Sequence, residues 1–325
     1  MKNTSQIILD RFKDVSDIIN IWDINNWIAN YKGSIFLKQN MSIEDAYEKY
    51  LSLKRDQIKP IIVPTIHPNW DRYEQSAHQL QSLLNKINER INVVCHIDEN
   101  IGYLSGYIEG RTGYQDRYIP NDTRDIINTL FHKSNNDKYK LFLSQHRQFF
   151  NNSEQYNIVN MPIGFDKNHV DPKLILSKVK EHSDFKRDKL ITSHNSLTPH
   201  RQKLFDNINN HSDIQILNTN LWQDDYYKSL SSSKYSLVMG GCGFDCFRVY
   251  EILMFGCIPI IESLNDAHGM KTFYEQFPIL LVEDYNKGFP SEELLNNSYL
   301  ELCEKFKTFN KDLLTTSYWI NEFVN

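Results

Sequence analysis

The chain predicts an α/β fold with mainly parallel sheets, divided into two domains. Strand-like and helix-like segments alternate almost throughout its length, which is the pattern of strand–helix–strand units rather than of an all-β or all-α protein. Its 325 residues, 40% of them hydrophobic, suit two medium cores better than one large one. Residues 234–263, KYSLVMGGCGFDCFRVYEILMFGCIPIIES, read without a break as strand, glycine-rich turn, helix and second strand.

The elements follow in order. In the first half, strands are expected at 18–22, 34–37, 60–65, 92–96 and 140–143, with helices at 43–54, 73–90 and 123–132 between them. The strand in PIIVPTIHP leads into a proline-rich loop. A polar NNSEQ stretch and a Pro-Ile-Gly-Phe-Asp turn mark a hinge within 157–168, so the domains are expected at 1–160 and 161–325. In the second half, helices are expected at 172–182, 199–210, 224–231, 270–277 and 291–309, with strands at 189–193, 214–217 and 279–282. Thr198 and Pro199 suit the cap and first position of their helix. The segment 313–323 is apolar and aromatic at helical spacing.

The 234–263 unit carries the chemistry. Gly240, Gly241 and Gly243 let the backbone take positive φ or approach a ligand closely. From Asp245 to Phe255 there is no Gly or Pro, and Gly256 is placed to end the helix. The following run, Cys257 to Ile261, has the β-branched character of a strand buried on both faces. Its turn would lie at a strand's carboxyl end, where such sheets bind ligands. Arg248 and Glu251 are three residues apart near the helix start. Turn and helix N–H groups with Arg248 would suit a diphosphate, and Glu251 would accept from ribose hydroxyls. An ordinary intrahelical ion pair explains the same spacing equally well. No Gly-Lys-Ser/Thr follows, so the turn is not a Walker loop.

These residues resemble the signature of the exostosin-like glycosyltransferases. The matching elements are Tyr227-Lys228-Ser229-Leu230, Ser233 to Leu237, Gly241 and Gly243, Arg248-Val249-Tyr250-Glu251, and Gly256-Cys257-Ile258-Pro259. The resemblance covers the C-terminal half. It implies a GT-B architecture of two Rossmann-like domains facing across a cleft, the second binding a nucleotide sugar and UDP being the favoured nucleotide. It also implies a final helix returning to the first domain. The implied activity is transfer of a hexosyl or pentosyl unit to a hydroxyl of a glycan or glycoconjugate acceptor. A nucleotide-sugar epimerase or hydrolase and a non-catalytic nucleotide- or glycan-binding protein stay open as alternatives. Met239-Gly240 stands where the family often has proline.

A second site is expected at Asn195 and Arg201, on a strand end and the following helix start. Two cations there, Arg201 and Lys203, oppose the helix dipole, which favours a functional reason for Arg201. Glu99 and Asp98, following a predicted strand, are the candidates for a general base, ahead of His67 and His146. No Asp-x-Asp occurs in the chain, so no divalent metal and no other cofactor is expected, the leaving diphosphate being neutralised by helix dipoles and basic residues.

Net charge is −5, with Lys and Arg scattered, so no nucleic-acid partner is expected. The aromatic share of 13% suits sugar faces, though cores account for most such residues. No apolar run approaches the length of a transmembrane helix, and the N-terminus does not read as a signal peptide. The expected location is therefore cytoplasmic, or the Golgi or ER lumen if an anchor lies upstream. The odd count of 5 Cys favours reduced thiols, with Cys242 and Cys246 as small buried residues beside the glycine turn.

Overall fold

The computed structural model describes residues 4–12, 17–19, 21–37, 41–64, 70–94, 139–144, 158–165, 171–197, 199–219, 221–239, 245–263 and 268–325. Two parallel α/β sheets organise them. The first runs β1 (Ser34–Leu37), β2 (Ile61–Pro64), β3 (Ile91–Val94), β4 (Tyr139–Ser144) and β5 (Ile158–Met161), in that order. The second runs β6 (Lys189–Ser193), β7 (Ser233–Val238), β8 (Ile258–Glu262) and β9 (Leu280–Val282). Every paired strand in both sheets is parallel.

Strand periodicity separates the faces of the first sheet. Ile62 and Val93 join one cluster with Ala46 and Leu53 of α3 (Ile43–Arg55) and with Leu80, Leu83 and Leu84 of α4 (Trp70–Lys86). Ile61, Val63 and Val94 point the other way, into the larger cluster that also contains the second sheet's β7 and β8. Ser42 caps α3 by accepting from Asp45 N–H at 3.0 Å, and Lys54 and Arg55 in its last turn suit the negative end of the dipole.

Around the second sheet lie α5 (Pro172–Glu181), α6 (Pro199–His211), α7 (Gln223–Ser232), α8 (Phe247–Met254), α9 (His268–Tyr274) and α10 (Glu292–Thr308). The chain ends in a 3₁₀ turn, Lys311–Leu314, and α11 (Thr316–Val324). The terminal helices cross over. The first helix, α1 (Thr4–Arg11), packs on α10 and α5, whereas α11 packs on β3 and on α2 (Ile21–Asn30). Asn92 of β3 donates to Phe323 O at 2.8 Å, Lys140 of β4 pairs with Glu322 at 3.0 Å, and the Phe142 and Phe323 rings meet edge to face at 5.1 Å.

Two expected strands are corrected. The described residues of 18–22 form no strand: Ile18 makes a single antiparallel bridge with Thr315, Ile19 N–H donates to Leu314 O, and Ile21 already opens α2. The buried pair Ile24 and Ile28 shows that the apolar run is read at helical spacing. Residues 214–217 also form no strand; one parallel bridge, Ser193 with Asn218, remains. The Asn209 side chain occupies both backbone groups of Ile216, accepting its N–H at 3.0 Å and donating to its C=O at 3.2 Å, and Leu217 is 67% exposed. The expected helix at 123–132 lies outside the described residues.

Gly256 ends α8 at φ +67° in a Schellman turn, with Cys257 N–H donating to Ile252 O at 3.1 Å and Gly256 N–H to Leu253 O at 2.9 Å. The turn receives α1: Thr4 Oγ1 donates to Gly256 O at 2.7 Å and Ser5 Oγ to Phe255 O at 2.8 Å. The Arg187 guanidinium locks this junction by donating to Leu230 O, Ser233 O, Phe255 O and Ser5 Oγ. A Cβ on Gly256 would lie 2.5 Å from Ser5 N. Gly256→Ala therefore combines left-handed strain with a backbone clash, and urea unfolding should show a loss of about 2–4 kcal/mol. Gly288→Ala, where a Cβ meets nothing within 4 Å, should stay within about 0.5 kcal/mol of the parent.

Candidate functional site

Strand β6 sits where the chain changes direction across the second sheet. It bridges through Ser193 to Asn218 on one side and pairs with β7 on the other. A crevice at the carboxyl end of such a strand is where parallel α/β sheets take ligands. Asn195, just beyond β6, spans it. Its backbone N–H donates to Asn218 Oδ1 at 2.8 Å and its C=O accepts from Asn218 Nδ2 at 2.8 Å. Towards β7, its Nδ2 donates to Leu237 O at 2.9 Å, and its Oδ1 accepts from Met239 N–H at 3.2 Å.

That oxygen also accepts from Arg248 Nη1 at 3.1 Å. The Arg248 side chain is thereby drawn from α8 to the end of β7, and its buried Nε–H has no hydrogen-bond partner. Arg201 reaches the same place from α6, donating to Ser196 O at 3.0 Å and, at 3.4 Å, to Met239 O. Asn195, Arg201 and Arg248 are thus brought together around Met239. Glu251, one turn along α8 and 8% exposed, accepts from the Tyr226 hydroxyl at 2.9 Å. Burial first, and the neighbouring Glu251 second, push the Tyr226 phenol well above its ordinary pKa, so it stays a donor. Gly240, Gly241 and Gly243 lie outside the described residues, as do Glu99, Asp98, His67, His146 and Cys242. The segments flanking the glycines, β7 with Met239 and α8, are described. The N-cap of α8, Cys246, makes no side-chain capping bond, and burial raises its thiol to about 11.

Two buried groups at the site were not legible as site residues. His194 packs edge-on against Tyr226 at 5.1 Å between ring centres. Its Nδ1 lies 3.1 Å from Thr219 O and 2.9 Å from the Thr219 hydroxyl. Its Nε2 lies 2.7 Å from the Thr192 hydroxyl and 3.0 Å from that of Ser229, so both ring nitrogens have partners. Desolvation pulls its pKa down to about 4. Asp245, at the foot of α8, accepts from the hydroxyls of Tyr250 and of Tyr274, the latter at 2.8 Å, and from Ile163 N–H just after β5 at 2.9 Å. Burial raises its pKa to about 6 despite these donors. The sequence signals are an Asp before a helix and a His beside Asn195 at the expected strand end, but neither reveals its partner.

The second sheet is thus a parallel α/β layer that changes direction at β6, with two arginines converging beside the carboxyl end of that strand. A family model described as the RXYLT1 C-terminal domain matches residues 176–290, about a third of the chain, and that stretch contains the whole of this site except the returning Ile163. The C-terminal half thus resembles an exostosin-like glycosyltransferase family. No curated protein matches the chain.

His194 and Asp245 have opposite effects on stability in one pH window. The depressed His194 makes the unfolded chain bind more protons between about pH 4 and 6.5, so its contribution to stability is lost as pH falls through that range. The raised Asp245 makes the folded chain bind more, so its contribution is lost as pH rises from about 4 to 6. Urea midpoints followed against pH should show each variant unmasking the other group. Asp245→Asn should steepen the loss on acidification, and His194→Gln should reverse it, each by up to about 1.4 kcal/mol per pH unit.

Proposed function

We propose that the protein is a glycosyltransferase of GT-B type that moves a sugar from a nucleoside diphosphate donor, UDP favoured, to a hydroxyl of a glycan or glycoconjugate acceptor. The observation that carries this reading is the pair Arg248 and Arg201 converging on the end of β7, with an unpartnered Arg248 Nε–H, inside the stretch matched by the family model. In this reading the Gly240–Gly243 turn and the uncapped first turn of α8 hold the diphosphate, and the two guanidiniums balance its charge as it leaves. Glu251, oriented by Tyr226, accepts from ribose or donor-sugar hydroxyls. Asn195 serves the site at one remove: its side-chain groups are engaged within the protein, so it positions Arg248 and the end of β7.

Residues 1–160 form the acceptor side and 161–325 the donor side. Glu99 or Asp98 takes the proton of the acceptor hydroxyl as that oxygen attacks C1 and the bond from C1 to the diphosphate breaks. No divalent ion takes part at the diphosphate, because the arginines and the helix dipole supply the positive charge. A family of xylosyltransferase type makes UDP-xylose the first donor to try, with UDP-hexoses beside it. Among the described residues no helix is long and apolar enough to cross a membrane.

Thermal unfolding of the purified chain with nucleoside diphosphates and nucleotide sugars, in EDTA, tests the donor site. Ligands that bind only the folded state raise the midpoint. UDP and one UDP-sugar should do so, and Arg248→Ala and Glu251→Ala should each lower affinity at least about tenfold. Tyr226→Phe should reproduce part of the Glu251→Ala loss. Donor consumption without any acceptor would replace the transferase by an epimerase or hydrolase. Absence of any nucleotide shift would leave the signature unit a structural element and sink the proposal.

A further inference from the structure

A second constellation lies outside the nucleotide site, where the end of α5 meets the start of α7. His182 closes α5 as its C-cap and is 3% exposed, yet its Nε2 has no hydrogen-bond partner. It faces Asp224 Oδ1 at 3.9 Å and Glu181 Oε1 at 4.0 Å. Asp224 Oδ1 is itself shut off from solvent and receives no hydrogen bond of good direction, although the Lys178 ammonium stands 2.6 Å away. The three ligand atoms lie within 4.8 Å of one another. The buried imidazole nitrogen lacks a partner that an intervening cation would supply, and the carboxylate oxygen it faces is already held by a cation, the Lys178 ammonium.

We propose that Glu181 Oε1, His182 Nε2 and Asp224 Oδ1 bind a divalent transition-metal ion of the zinc type. One imidazole and two carboxylates suit zinc, whereas magnesium and calcium prefer all-oxygen shells. Zinc with bonds of about 2.1 Å in tetrahedral geometry sets its ligand atoms about 3.4 Å apart, so the two distances from His182 shorten by about half an ångström and the carboxylates, within 4.8 Å of each other, close by up to about 1.4 Å. Water takes the fourth position. Lys178 holds the remaining Glu181 oxygen at 2.8 Å, and Lys228 holds the remaining Asp224 oxygen at 2.7 Å. These contacts orient both carboxylates, while the nearby Lys178 charge moderates the affinity. The ion clamps the start of α7, two residues before Tyr226, to the end of α5. Its role is structural, and no atom of the proposed sugar transfer passes through it.

The test uses the full chain stripped with chelator and titrated with Zn2+ by calorimetry and with Co2+ by visible absorption. One equivalent of Zn2+ should bind and raise the thermal midpoint, with Mg2+ inactive. Co2+ should give the bands of a tetrahedral nitrogen–oxygen site without thiolate charge transfer. Asp224→Asn and His182→Gln should each weaken Zn2+ binding at least about tenfold, and Lys178→Met should tighten it. Because Asp224 lies on the surface side of the cluster, Asp224→Asn remains informative if His182→Gln fails to fold. Failure of the parent chain to bind, equal binding by Asp224→Asn, or binding abolished by thiol blocking would each overturn the proposal. The readout is metal binding and not turnover, so its failure leaves the transferase reading untouched.

Discussion

Asn195 is the residue on which the geometry at the carboxyl end of β6 and β7 turns. Strand β6 must hold two neighbours, a full strand on one side and a single bridged residue on the other. Asn195 closes both sides with backbone and side-chain bonds, and the carbonyl oxygen of its amide is shared by Met239 N–H and Arg248 Nη1. Its Nδ2 adds a bond to Ser193 Oγ at 3.1 Å. Only a side chain carrying both donor and acceptor fits these partners; a carboxylate would place an oxygen against Leu237 O. The direction of Arg248, and with it the positive charge of the site, follows from that amide.

The rest of the site is assembled by buried polar groups whose partners come from distant parts of the chain. Asp245 ties the start of α8 to Ile163 beside the first sheet, while Tyr250 and Tyr274 supply the hydroxyls that keep its burial tolerable. His194 stays neutral because burial disfavours its charged form, and Thr192, Ser229 and Thr219 satisfy both ring nitrogens. A partly satisfied network would be worse than an apolar core, so these groups rigidify the site only as a complete set. The crossing of the terminal helices works in the same direction. With α1 docked on the Gly256 turn and α11 on β3, each sheet is completed by residues from the far end of the sequence.

Much of the sheet-and-helix order was readable because strands buried on both faces are continuous apolar runs, as in Ile61 to Val63 and Ile258 to Ile261. Gly256 was readable as a helix stop because positive φ selects glycine. The two misread strands share one cause. Local β propensity at residues 18–22 and 214–217 lost to partners that the sequence does not reveal: the helical burial of Ile24 and Ile28 in one case, and the Asn209 side chain on the Ile216 backbone in the other. The place of Arg248 and Glu251 on one helix was legible from their spacing. Tyr226 and His194 were not, because a tyrosine and a histidine gain meaning only from what they touch.

The sequence by itself determined the α/β class, the strand–turn–helix–strand unit of residues 234–263 and the arginine and glutamate that it carries, since periodicity, glycine placement and short-range spacing are local properties. The tertiary structure alone decided that Asn195 bonds Arg248 and Met239, that Tyr226 bonds Glu251, that Asp245 and His194 are buried with opposed titrations, and that His182 faces Asp224 across 42 residues of chain. These facts depend on which side chains meet after burial. Hydrogen-bond partners and desolvation are set by packing between segments remote in sequence, and no local pattern encodes them.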